Sequence, residues 1–140
     1  MTKLVRMLAV LVALLAGLTN AGAVEDKANV KDLEAIIDAA MKAYNEADWK
    51  AFFKDYSKDM AAIASEPTFK ALYGPNAAMG QFGKFVKRLE LIKDQSVLEG
   101  ENVLAHWHAE FAKNKKVKIS VNFVKEDGKY RIQQITLGSS

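Results

Sequence analysis

The hydrophobic repeat of this chain changes period once, near residue 100, and that change constrains the fold more than any other feature. From Leu33 the apolar residues fall at Leu33, Ile36, Ile37, Ala40, Tyr44 and Ala47, in steps of one, three and four. That spacing lines one face of a helix. From Val103 the spacing becomes two. Val103, Ala105, Trp107, Ala109 and Phe111 alternate with Leu104, His106, His108 and Glu110. Val117, Ile119, Val121 and Phe123 alternate with Lys118, Ser120, Asn122 and Val124. These are half-buried strands with one apolar and one polar face. Helices first and strands second predict an α+β domain, with the helices packed on one face of an antiparallel sheet.

The helical half divides into several pieces. Asn29 or Asp32 can cap the first helix, and Asp48 can cap a second that carries Trp49, Phe52, Phe53, Tyr56 and Met60 on one side. Pro67 near its start and Gly74-Pro75 at its end mark a short third helix, with Phe69, Leu72 and Tyr73 inward. Met79, Phe82, Val86 and Leu89 continue at helical steps, although Gly80 and Gly83 inside that stretch each cost about 1 kcal/mol against Ala. A strand is expected near Lys93–Leu98 before the alternating runs. Gly100, Asn114 and Asp127-Gly128 punctuate those runs as turns. A three-residue loop at Lys113–Lys115 would set Trp107 opposite Val121, Glu110 opposite Lys118, His108 opposite Ser120 and His106 opposite Asn122. In the last strand Tyr130, Ile132, Ile135 and Leu137 break step. One extra residue at Gln133-Gln134, a β-bulge, restores the face and bends the sheet.

The first 23 residues are of another kind. Lys3 and Arg6 precede an apolar run from Met7 to Leu18, and Ala21-Gly22-Ala23 follows. A basic start, a short apolar stretch and an Ala-x-Ala site predict a secretory signal peptide cut after Ala23. The run is too short to span a bilayer, which takes roughly 20 residues. Residues 24–140 then form one domain, secreted or periplasmic, with no membrane association after cleavage. Loss of Lys3 and Arg6 takes the formal charge from +3 to +1. Nucleic-acid binding needs a stronger basic field, so no nucleic-acid partner is expected. With no Cys in the chain, disulfides, thiol nucleophiles and lipid attachment at an N-terminal Cys are excluded.

Two segments carry a resemblance. The helix junction Asn45–Met60, NEADWKAFFKDYSKDM, has the form D-W-x-x-F, and Val121–Leu137, VNFVKEDGKYRIQQITL, ends in the hairpin F-V-K-E-D-G-K-Y-R-I. Together with the order of elements over Val30 to Leu137, they resemble the cystatin-like, nuclear transport factor two-like superfamily. This superfamily includes ketosteroid isomerase and polyketide-cyclase-like proteins, and the chain looks most like its small secreted members of unknown role. The resemblance implies a cone-shaped α+β fold with the N-terminal helices packed on a bent antiparallel sheet. An isomerase of this type uses a carboxylate base in the cavity with a Tyr and a protonated acid as oxyanion donors. Tyr44 and Tyr56 could point inward and Tyr73 could lie near the mouth, but the expected inner strand faces carry no acid. The resemblance therefore places no catalytic residue here.

The expected function is a non-catalytic binding module, with an isomerase- or cyclase-like enzyme as the alternative. Tyr44, Phe53, Tyr56, Phe82, Trp107 and Val121 are the candidate walls of a cavity for a small hydrophobic ligand. A filled cavity would instead leave the polar sheet face for a homodimer or partner contact. No cofactor is expected. His106 and His108 share a strand face roughly 7 Å apart along it, with Glu110 next on that face. That is a weak metal-ligand set, because the chain has no third His and no Cys to complete it. Lys113, Lys115, Lys116 and Lys118 cluster at one hairpin end, and Lys125, Lys129 and Arg131 at the next turn. Such charges solubilise a rim and protect strand edges, or dock an anionic partner.

Overall fold

A computed structural model describes residues 27–140. The expected leader, residues 1–23, lies outside the described residues. Asn29 opens α1 (Val30–Glu46), its Oδ1 accepting from the backbone N–H of Lys31 and Asp32. Leu33, Ile37, Ala40, Met41 and Tyr44 form the buried stripe of this helix, as the spacing predicts. Ala47 then takes a left-handed conformation and ends it. Asp48 caps α2 (Trp49–Phe52) by accepting from the N–H of Ala51. Two short helices follow, α3 (Lys58–Ala61) and α4 (Glu66–Tyr73). The second is capped by Ser65 and closed at Gly74.

The single second helix expected over Trp49–Met60 is broken between α2 and α3. Its middle pairs with the sheet instead. Ser57 donates its backbone N–H to Ile132 O at 2.8 Å, and Ile132 donates to Asp55 O at 2.9 Å. A strand edge buried against helices must have its polar groups satisfied, and that requirement overrides local helical periodicity. Ser57 is fully buried as a result.

Four strands make an antiparallel sheet in the order β1-β2-β3-β4: β1 (Phe85–Leu91), β2 (Asn102–Phe111), β3 (Asn114–Glu126) and β4 (Lys129–Ser139). The helix expected over Met79–Leu89 is a 3-10 turn at Ala78–Phe82 followed by β1. Gly83, at φ 78, turns the chain between them. A Cβ at Gly80 would collide with the carbonyl oxygens of Tyr73 and Gly74, so Gly there lets the turn sit on the end of α4. The strand expected at Lys93–Leu98 is a 3-10 turn at Lys93–Gln95 and a single bridge between Val97 and Leu104.

The two long hairpins carry the core. Along β2 every second residue from Val103 to Phe111 is buried, and along β3 the same holds from Val117 to Phe123. The β2–β3 register differs from expectation by two residues. The chain turns at Ala112-Lys113, so Phe111 faces Asn114, Trp107 faces Ile119, His106 faces Ser120 and His108 faces Lys118. Ala105 faces Val121, and Glu110 pairs with Lys87 of β1 rather than standing opposite Lys118. A slip of two leaves each side chain on its own face, whereas a slip of one would have inverted the sheet. The bulge in β4 falls where the broken step puts it. Asn122 faces Gln134 and Phe123 faces Ile132, leaving Gln133 as the extra residue. The hairpin before it turns through Asp127 and Gly128, both at positive φ.

A candidate ligand cleft between the short helices and strand β4

The free edge of β4 is closed by three different devices. The Asp55–Ser57 segment pairs with Ile132, the Tyr73 hydroxyl donates to Ile135 O at 2.7 Å, and Leu137 N–H donates to Met79 Sδ at 3.4 Å. Short segments and single side chains do not fill the space that a fifth strand would take. A cleft of about 440 Å³ remains between them, within the size range of small-molecule sites. Its wall is Phe53, Tyr56, Met60, Ile63, Leu72, Tyr73 and Met79 from the helical half, and Asn122, Gln133, Gln134 and Ile135 from the sheet. Ile63 and Leu72 are 42% and 38% exposed, an apolar lip. The described lining contains no Asp, Glu, His, Lys or Arg.

Behind the wall the rings lock together. Phe52 lies 4.9–5.8 Å, centroid to centroid, from Phe53, Tyr56, Phe69 and Tyr73, edge-to-face with Phe53 and Phe69 and tilted against the two Tyr rings. Burial pushes the Tyr73 phenol up to about 12 and raises that of Tyr56 further, so both stay protonated at neutral pH. Ser57 donates its hydroxyl to Gln133 Oε1, which fixes the side chain of the bulged residue.

The six candidate wall residues part company in the structure. Phe53 and Tyr56 line this cleft. Tyr44 lies beside a second opening, of about 350 Å³, with its hydroxyl donating to Gly83 O at 2.8 Å. Phe82, Trp107 and Val121 are buried in the packed core rather than on the wall of the cleft. Phe82 stacks edge-on with Phe111. Trp107 is 0% exposed, and its indole N–H donates to Glu34 Oε2 at 3.0 Å. Glu34 also takes Arg88 at 3.1 Å, and Arg88 holds both Asp38 oxygens, at 2.9 and 3.0 Å. This pins α1 to β1. Glu34 interrupts the apolar stripe and reads from sequence as a surface residue.

The polar sheet face behaves as a hydrogen-bonded ladder. His106 Nδ1 lies 2.7 Å from Ser120 Oγ, and His108 Nδ1 lies 3.1 Å from Ser140 Oγ. Desolvation, then the nearby Lys118 charge, lowers the pKa of His106. Among the described residues no group of three or more His, Asp or Glu is gathered at metal-binding distance. Lys118 stands opposite His108 in the register, and its ammonium donates to Gln95 Oε1 at 3.3 Å.

A different groove lies on the other side of the Asp55–Ser57 segment. It measures about 660 Å³, and Lys27, Lys125, Lys129, Arg131, Asp32 and Asp55 surround a floor of Leu33, Ile36 and Tyr130. Arg131 pairs with Asp55 at 3.7 Å, and Lys125 sits 5.7 Å over the Tyr130 ring.

No protein-family model matches this chain, and no curated protein matches it in sequence. Among solved structures it is similar to an NTF2-like (nuclear transport factor two-like) protein of unknown function from Pseudomonas putida. The TM-score is 0.52 with 14% identity, over 81% of this chain and 89% of the other. At that identity the likeness concerns the fold alone. The chain has the NTF2-like α+β architecture: helices leading into a bent antiparallel sheet of four strands.

Proposed function

We propose that this domain is an exported binding module that holds a small apolar ligand in the cleft between α2–α4 and β4. The observation that carries this reading is the exposed apolar lip of Ile63 and Leu72 over a wall of rings and thioethers. Large apolar side chains left in water at the mouth of a concave apolar site gain by covering. The Met60 and Met79 side chains add adaptable surface. The isomerase- or cyclase-like alternative needs a base within reach of the substrate. The described cleft lining offers none, and the Glu34 carboxylate is already held by Trp107 and Arg88.

Native mass spectrometry of the protein recovered from the compartment outside the cytoplasm tests both parts. The expected result is a chain beginning at Val24 with an apolar adduct that is released on denaturation. A bare mass that persists when uncharged hydrophobic compounds are added in excess would refute the ligand reading. A chain that still begins at Met1 would refute the export.

A further inference from the structure

The second opening, beside Tyr44, brings rings and cations together. It measures about 350 Å³, at the small end of ligand pockets, and shares only Tyr73 with the β4 cleft among the described lining residues. Tyr44, Phe69 and Tyr73 supply its apolar wall. Tyr44 and Tyr73 stand at 88° with centroids 6.2 Å apart, and Phe69 lies 5.7 Å from Tyr73. A flat ring that stacks on one of two perpendicular rings meets the other edge-on, and both contacts are favourable. The cations are placed by backbone pairing. Ala112 N–H donates to Lys84 O at 2.7 Å and Lys113 N–H donates to Phe82 O at 2.9 Å, which sets Lys84 beside the β2–β3 turn that carries Lys113. A Cβ at Gly83 would lie 3.1 Å from Lys113 Cγ, so the stem of Lys113 lies against Gly83 at the opening. Lys70 pairs at 3.5 Å with Glu66, the one carboxylate of the described lining. Among the described residues neither Lys84 nor Lys113 makes an ion pair. The other polar side chains are engaged: the Tyr44 hydroxyl donates to Gly83 O, and the Asn45 amide both donates to and accepts from the Phe85 backbone. A ligand here meets rings and two uncompensated ammonium groups.

We infer that this opening is a second binding site, for a planar aromatic carboxylate whose ring packs on Tyr44 and Tyr73 and whose carboxylate meets Lys84 and Lys113. The perpendicular rings and the small volume favour a flat ring over a long alkyl chain. The two lysines favour an anion over a neutral head, because an ammonium–carboxylate bond is charge-assisted. Both lysines are exposed, so water screens each contact and the preference is built from two modest contributions. The site also divides the lysine cluster of the β2–β3 hairpin. Lys113 lines the opening, whereas Lys115 and Lys116 lie outside its described lining.

Calorimetric titration of the chain from Val24 with 2-naphthoate, 2-naphthalenemethanol and decanoate, at pH 8 and low salt, tests this. Naphthoate should bind about tenfold more tightly than the neutral alcohol and about threefold or more tightly than decanoate. Lys84→Gln and Lys113→Gln should each weaken naphthoate about threefold, and together about tenfold, while naphthalenemethanol changes by less than about twofold. The charge-matched pair Lys115→Gln and Lys116→Gln should change naphthoate binding by less than about twofold. All four lysines are exposed, so these variants leave the packed core untouched. Naphthalenemethanol binding as tightly as naphthoate would overturn the anion preference, and decanoate doing so would overturn the ring preference. A Lys84/Lys113 double variant no weaker than the Lys115/Lys116 double variant would replace the site with a diffuse basic field. Naphthoate that fails to bind at millimolar concentration would overturn the site outright.

Discussion

The two openings on either side of Asp55–Ser57 are built from opposite materials. The cleft facing β4 is walled by rings, thioethers and carboxamides and has no charge among its described lining residues. The groove beneath the start of α1 is rimmed by four cations and two carboxylates over a shallow apolar floor. One three-residue segment separates them and serves both. Asp55 reaches Arg131 on the groove side, while Tyr56 lines the cleft and Ser57 fixes Gln133. Asp55 lines the groove and its neighbour Tyr56 lines the cleft, so the segment presents a different side chain to each. A segment paired with a strand edge can therefore divide a charged surface from an apolar one, which a helix over Trp49–Met60 could not do. The same break costs the chain a continuous helix and gives it the cleft.

If the cleft wall is part of the core and the groove rim is not, mutations should separate them by stability. The largest effect belongs to Phe52→Ala. Phe52 is 1% exposed and sits at the centre of the ring cluster behind the cleft. Its truncation should cost about 3–5 kcal/mol in urea unfolding at 25 °C. A loss below about 1 kcal/mol would mean that the rings pack loosely and that the cleft is not a fixed shape.

An intermediate effect sharpens the comparison through pH. The phenols of Tyr56 and Tyr73 are raised by burial, Tyr73 to about 12, while an unfolded Tyr ionises near its ordinary value of about 10. The folded state therefore keeps protons that the unfolded state gives up. Their contribution to stability is complete below about pH 10 and is lost as the pH rises toward 12. Urea midpoints should stay level to about pH 9 and then fall, and Tyr73→Phe should make the fall shallower. An unchanged alkaline slope in that variant would mean that Tyr73 is solvated, and the cleft wetter than its geometry indicates.

What could be read in the sequence follows the same division. The inner faces of β2 and β3, the α1 stripe and the Gln133 bulge were legible because each is a local period or a break in one. The register was missed by two residues because the turn falls at Ala112-Lys113, and β3 takes up the difference with an extra residue before Val117. Strand β1 was not legible. Met79, Phe82, Val86 and Leu89 match helical steps, and β1 itself breaks register twice against β2, so it shows no clean period of two. The cleft was legible only in Phe53 and Tyr56, with Tyr73 expected near the mouth. Ile63, Leu72, Met79 and Gln133 come from separate segments, and the β4 edge brings them together. The bond of Trp107 to Glu34 joins residues 73 apart in sequence, and no short-range pattern encodes it.

The smallest expected effect tests the groove from its own side. Arg131 and Asp55 are the ion pair nearest the dividing segment, 3.7 Å apart, with side chains 35% and 29% exposed. At that distance and exposure water screens most of the attraction, and exposed pairs are typically worth about 0.2–1 kcal/mol. A double-mutant cycle of Arg131→Gln and Asp55→Asn, read by urea unfolding, should give a coupling energy within that range. Raising the salt from 0.1 to 1 M, where the screening length falls from about 10 to about 3 Å, should shrink it further. A coupling above about 2 kcal/mol that resists salt would place the pair in a desolvated site. The groove would then be as much a part of the core as the cleft, and the segment between them would divide two structural regions rather than a solvated rim from a packed wall.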